Sequence, residues 1–156
     1  MEPTRFVSIG AGPFEFPIAG SFVVSQEGGA TTFEASDGSR RYYVGSFNNV
    51  LARGDAEAHV QIDKIEQVTK RAWEQFVASE KGVVRVPFER TDVGTLAIFF
   101  MATEFTHDDR LQYYVQYAVS NGPRLATVFA EGLGPALPVH SELLPVILGV
   151  KVIGVA

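Results

Sequence analysis

Three histidines are the first residues to test for chemistry: His59, His107 and His140, in a chain of 156 residues without cysteine. His107 runs into Asp108 and Asp109, and the three together carry metal-capable atoms. Adjacent residues in a tight turn diverge rather than converge on one ion, so solvated turn chemistry accounts for them. His59 has only Asp63 at helical spacing, whereas metal signatures place two or more ligands there. His140 precedes a helical candidate, and solvation at a helix end explains it as well as any chemistry does.

The remaining catalytic patterns are missing. There is no Gly-x-Ser-x-Gly elbow, no phosphate loop and no His-Glu-x-x-His helix. Gly10-Ala-Gly12 leads into a strand instead of a helix, so a dinucleotide reading fails on context. Arg53-Gly54-Asp55 spells an adhesion tripeptide, which a loop ending in a helix cap explains fully. The carboxylates scatter, and nothing fixes a pair of them across a cleft. The expectation is a non-enzymatic protein with no catalytic residue, no cofactor and no transition metal.

Composition narrows the partners. Eighteen acidic against 13 basic residues give a net charge of −5, and the basic residues form no run. Phosphate binding needs concentrated Lys and Arg, so nucleic acid is disfavoured. Without cysteine there are no disulfides, thiol nucleophiles or thiolate metal sites. Met1-Glu-Pro-Thr-Arg5 lacks the basic start and apolar run of a signal peptide, which points to the cytoplasm. Leu143 to Ala156 is apolar but broken by Pro145 and Lys151, and short of the roughly 20 residues of a membrane span. It reads as a core element. The length suits one domain, residues 1–156.

The elements that would position any site follow from periodicity. Arg5–Ile9 and Pro13–Pro17 are short extended pieces, and Ser21–Gln26, Thr31–Ala35 and Arg41–Phe47 read as three strands, with glycine turns at Glu27–Ala30 and Asp37–Arg40. From Asp55 the period becomes helical: Ala58, Ile62, Ile65, Ala72 and Phe76 share a face, with Val68 and Trp73 beside it. Asp55 is the expected N-cap, Glu57 suits the positive helix end, Gly82 is the expected stop, and Glu66 and Lys70 should pair on the outer face. A helix of that span would be about 39 Å long. Val83–Phe88 is an extended piece whose Pro87 argues for an edge position or a strand end.

Thr95 to Glu131 then reads as a three-stranded meander. Thr95–Phe105 is apolar on both faces, as a strand covered on two sides should be. Thr106–Arg110 and Ser120–Pro123 supply its turns, and Arg124–Ala130 is its third strand. In the middle strand Leu111, Tyr113, Val115, Tyr117 and Val119 share one face, expected to lie under the long helix with Ile62, Ile65, Trp73 and Phe76 buried above it. Gln112, Tyr114 and Gln116 would then point the other way. Aromatic rings mixed with amides suit a partner surface, and the N-terminal strands or a homodimer mate are the alternative cover. A shorter helix is expected at Ser141–Gly149, capped by Ser141 with Pro145 near its first turn. Val150–Val155 could extend as a strand. The fold class is α+β: a mainly antiparallel sheet packed by one long helix and a short C-terminal helix.

This order of elements, with Phe14-Glu-Phe-Pro17 before a strand, the hairpin Phe33–Ser39, the helix from Asp55 and the strands from Tyr113 to Val128, resembles the PsbP-like fold. That group includes DcrB-like proteins and the Eag chaperones of type VI secretion, and the resemblance spans about Phe14 to Val152. It implies a non-enzymatic binder. Pro17 is followed by Ile18-Ala-Gly-Ser21, where Eag chaperones commonly carry an aromatic residue, and Gln116 is similar to a chaperone glutamine that contacts effector helices. The expected function is an immunity protein, an antitoxin that binds a type VI effector in the cytoplasm. A chaperone for the effector's transmembrane segment ranks second, and a small-molecule carrier or enzyme third. Gln112, Tyr114, Gln116, Asp108 and Asp109 are the expected contact residues, with the aspartates suited to a basic toxin cleft.

Overall fold

Ten strands and two helices form among the described residues, and each helix lies where an apolar sheet face needs cover. The computed structural model describes residues 4–8, 14–19, 22–27, 30–35, 41–49, 58–122 and 124–152, with side chains at 14–17, 62–122 and 125–152. In chain order the elements are β1 (Thr4–Ser8), β2 (Phe14–Ala19), β3 (Phe22–Glu27), β4 (Ala30–Ala35), β5 (Arg41–Asn49), α1 (Ala58–Ser79), β6 (Val83–Val93), β7 (Leu96–His107), β8 (Arg110–Ser120), β9 (Arg124–Leu133), α2 (Ala136–Leu148) and β10 (Lys151–Val152). Seven strands form one antiparallel sheet in the order β3-β4-β5-β9-β8-β7-β6, and β1-β2-β10 form a second, smaller one. No helix among them is long and apolar enough to cross a membrane.

β7 is enclosed from Leu96 to Phe105, which its continuous apolar run requires. Its alternate residues serve two cores. Leu96, Ile98, Phe100 and Ala102 join Tyr113, Val115, Tyr117 and Val119 of β8 beneath Leu143 and Ile147 of α2 and Phe14 and Phe16 of β2. Ala97 and Phe99 join Ala118 beneath Ile62 and Ile65 of α1. The expected facing is therefore reversed. The long helix covers the Tyr114–Gln116–Ala118 face, and the short helix with the small sheet covers the tyrosine–valine face. Period-2 alternation separates two faces without saying which helix takes which.

Several boundaries move for local reasons. The β7–β8 turn is only Asp108-Asp109, both at positive φ (51° and 62°), as a two-residue hairpin demands. Thr106, His107 and Arg110 belong to the strands instead. β9 runs on to Leu133, past the expected Ala130. β6 is the sheet edge expected for Pro87, with register shifts on either side of Val86. α2 starts at Ala136, five residues before the expected Ser141 cap. Pro135 and Pro138 cost nothing there, because first-turn N–H groups have no intrahelical partner, and Pro145 falls inside the helix instead of near its start. Glu66 turns from Lys70 to Arg90 of β6 (2.7 Å), which Asp63 also contacts (2.8 Å), tying α1 to the edge strand. Phe76, expected in the core, is 39% exposed. The Asp55 cap, Glu57, Arg53-Gly54-Asp55 and Gly10-Ala-Gly12 lie outside the described residues.

The end of α1 differs from the expected glycine stop by one residue. Gly82 N–H donates to Val77 O (2.8 Å) and Lys81 N–H to Ala78 O (3.3 Å), a Schellman closure in which Lys81, not Gly82, takes the left-handed conformation (φ 56°). Gly82 is needed for space: a Cβ there would lie 2.5 Å from the Phe105 ring. Lys81→Gly should therefore stabilise the protein by up to about 1 kcal/mol, and Gly82→Ala should destabilise it. A thermal midpoint lowered by Lys81→Gly would contradict a left-handed residue at 81.

Candidate functional site

Where β7 turns into β8, four elements converge on an open cavity of about 170 Å³. α1 supplies Phe76 and Glu80, one turn apart on the same face. β7 supplies Phe105 and His107, β8 supplies Gln112 and Tyr114, and β9 supplies Glu131, the direct cross-strand neighbour of Tyr114. Strand alternation aims all of these sheet residues at the α1 side.

The walls are aromatic. Phe76 lies 5.7 Å from Phe105 and 5.4 Å from Tyr114 between ring centroids, and Phe129 stacks on the far face of this group at 5.8 Å from Tyr114. His107, weighed in sequence as a metal ligand, instead stacks on Phe105 at 6.5 Å. Burial and then the Glu131 carboxylate push the Tyr114 phenol above its ordinary range, so it stays protonated at neutral pH. Two carboxylates and no Lys or Arg stand among the described lining residues. Such a cavity can hold a partly apolar, positively charged group through ring faces and carboxylate oxygens. Among the described residues, no three His, Asp or Glu side chains converge as metal ligands.

Of the expected contact residues, Gln112 and Tyr114 line this cavity, and Asp108 and Asp109 are exposed on the turn beyond it. Gln116 is not brought to it. Its Oε1 is buried with no hydrogen-bond partner in the protein, between Met101 and Phe129 on the neighbouring strands. Sequence reading missed Phe76, Glu80, Phe105 and Glu131. The only signal was the four-residue spacing of Phe76 and Glu80, and Phe76 had been assigned to the core.

A second polar cluster lies under α2. His140 is buried, not solvated: its Nδ1 is 2.8 Å from the Tyr117 hydroxyl, and its ring stacks on Tyr117. Burial pushes His140 down and Tyr117 up, keeping both neutral. Nearby, Glu104 of β7 accepts from Ala136 N–H at the start of α2 (2.8 Å) and from Arg85 Nε (2.7 Å). His140, Tyr117 and Glu104 are buried and serve to seat α2, with Arg85 half-exposed at its margin. His59 lies in α1, with its side chain outside the described residues.

No family model and no curated protein matches this chain. Among solved structures, it is similar to cyanobacterial PsbP (CyanoP) from Synechocystis sp. PCC 6803, with a TM-score of 0.62 over 97% of this chain and 94% of that one. The fold is PsbP-like. At 11% identity the likeness carries the architecture and says nothing of the DcrB-like or Eag groups. Within this PsbP-like fold, the cavity lies at the end of the large sheet where α1 stops.

Proposed function

We propose that this chain is a non-enzymatic protein-binding domain, an immunity protein that neutralises a secreted bacterial effector by covering its functional surface. One observation carries the reading: exposed apolar side chains gather beside acidic ones at the hairpin end of the sheet. Leu133 (60% exposed) and Phe76 are exposed on the α1 side of this end, Leu111 is exposed on the opposite side, and Asp108 and Asp109 project from the β7–β8 turn. Leu111 O accepts from Gly134 N–H (2.8 Å), which keeps the two leucine strands together at this end. An apolar centre with a charged rim is the usual anatomy of a protein interface, and the rim here suits a basic partner.

The same leucines, with Leu137 exposed on α2, favour a second reading, a chaperone that shields an apolar effector helix. The two part in one experiment. The partner is co-purified from the native cell, and its folded toxin domain and its apolar segment are tested separately for binding. Retention of the toxin domain with rescue of growth is expected. Retention of the apolar segment alone would replace the immunity reading by the chaperone one, and retention of neither would end both.

A further inference from the structure

We infer that the cavity between Phe76, Tyr114 and Glu131 is a binding site for an organic cation: an ammonium, methylated ammonium or guanidinium group. Three independent features point to this. The rings of Phe76, Phe105 and Tyr114 pack edge-to-face or tilted with centroids within 6.4 Å of one another, which gives one side of the open cavity an aromatic wall of the kind that attracts a cation. Glu80 and Glu131 approach from opposite sides, one on α1 and one on β9, with no basic side chain among the described lining residues to neutralise them. The volume, about 170 Å³, fits the head of a side chain or a small amine.

Phe76 is apolar and stays 39% exposed at the mouth, although the helix face it belongs to buries Ile62 and Ile65 below it. Both carboxylates are exposed at the cavity and open to a cation arriving from solvent. Glu131 stands directly opposite Tyr114, so the ring that contacts the cation's alkyl surface and the carboxylate that meets its charge are held together by the sheet register. The inference deepens the protein-binding reading by naming what a partner would insert, the tip of a Lys or Arg side chain. A free amine offers the same chemistry.

The test uses the full chain and a free cation, so it stands apart from the partner experiment. Choline is titrated while the amide signals of Gln112, Tyr114 and Glu131 are followed by NMR, with 3,3-dimethylbutan-1-ol as the neutral isostere of the same shape. Saturable shifts are expected at these amides with choline, and binding at least fivefold weaker with the alcohol. Glu131→Gln, at an exposed position, should weaken choline binding about three- to fivefold and leave the fold intact. Tyr114→Leu should weaken it further if the variant folds, and the Glu131 variant decides the matter if it does not. A flexible peptide bearing one arginine separates the sources: tighter than choline, the natural occupant is a partner's side chain; weaker, it is a free amine. Equal binding of alcohol and choline, or no saturable shift with either choline or the peptide, would overturn the inference.

Discussion

Glu104→Ala is expected to cost about 1–3 kcal/mol, the penalty for leaving a buried backbone donor without its charged acceptor. The carboxylate is only 5% exposed and uses both oxygens, one on the Ala136 N–H and one on Arg85 Nε. α2 has Pro135 at its N-cap position with no side-chain cap, so the capping acceptor arrives from the sheet, thirty-two residues back in sequence. Losing it leaves a buried N–H orphaned and half-exposed Arg85 unpaired. The Ala136 hydrogen bond, with help from Arg85 and against the effect of burial, holds the Glu104 carboxyl below the usual range. The folded value thus lies under the unfolded one, near 4.3. The stabilisation is fully present above about pH 4.3 and is lost as pH falls through the lower, folded value. In urea unfolding series, Glu104→Gln should be less stable than the wild type by a constant amount at neutral pH. That gap should close in acid. A gap unchanged down to pH 3 would mean the carboxylate's charge is not what seats α2.

Ile65→Ala carries the second large expected effect, a loss of about 2–5 kcal/mol from removed burial and the cavity left behind. Ile65 is 3% exposed and packs with Ile62, Ala97, Phe99 and Ala118, the cluster that fixes α1 on the sheet. Val68, three residues on and 66% exposed, is the internal control: Val68→Ala should stay within about 0.5 kcal/mol. Chemical denaturation of both variants checks this. A loss under half a kcal/mol for Ile65→Ala would mean that α1 does not rest on this face.

The meander was legible because its residues state their burial directly: an unbroken apolar run for β7, and alternation for β8. The long helix was legible from Ile62 and Ile65, and the edge from Pro87. What sequence could not supply was sign and distance. Tyr113 and Tyr114 both look half-apolar, and only the competition between two helices for two faces puts one in the core and the other at a cavity mouth. Pro135 and Pro138 hid the start of α2, because its cap is Glu104, far away in the chain. The cavity was invisible for the same reason. Phe76, Phe105 and Glu131 come from a helix and two strands and become neighbours only through strand register and the point where α1 stops.

The central claim is that the hairpin end of the sheet is a partner-binding surface, and hydrogen exchange on the chain bound to its co-purified partner tests it most directly. Slowed exchange is expected at residues 107–114 and 131–134, with the edge strand β6 unchanged. Protection confined to β6 or to the outer face of α1, with the Asp108-Asp109 turn exchanging as in the free protein, would contradict it.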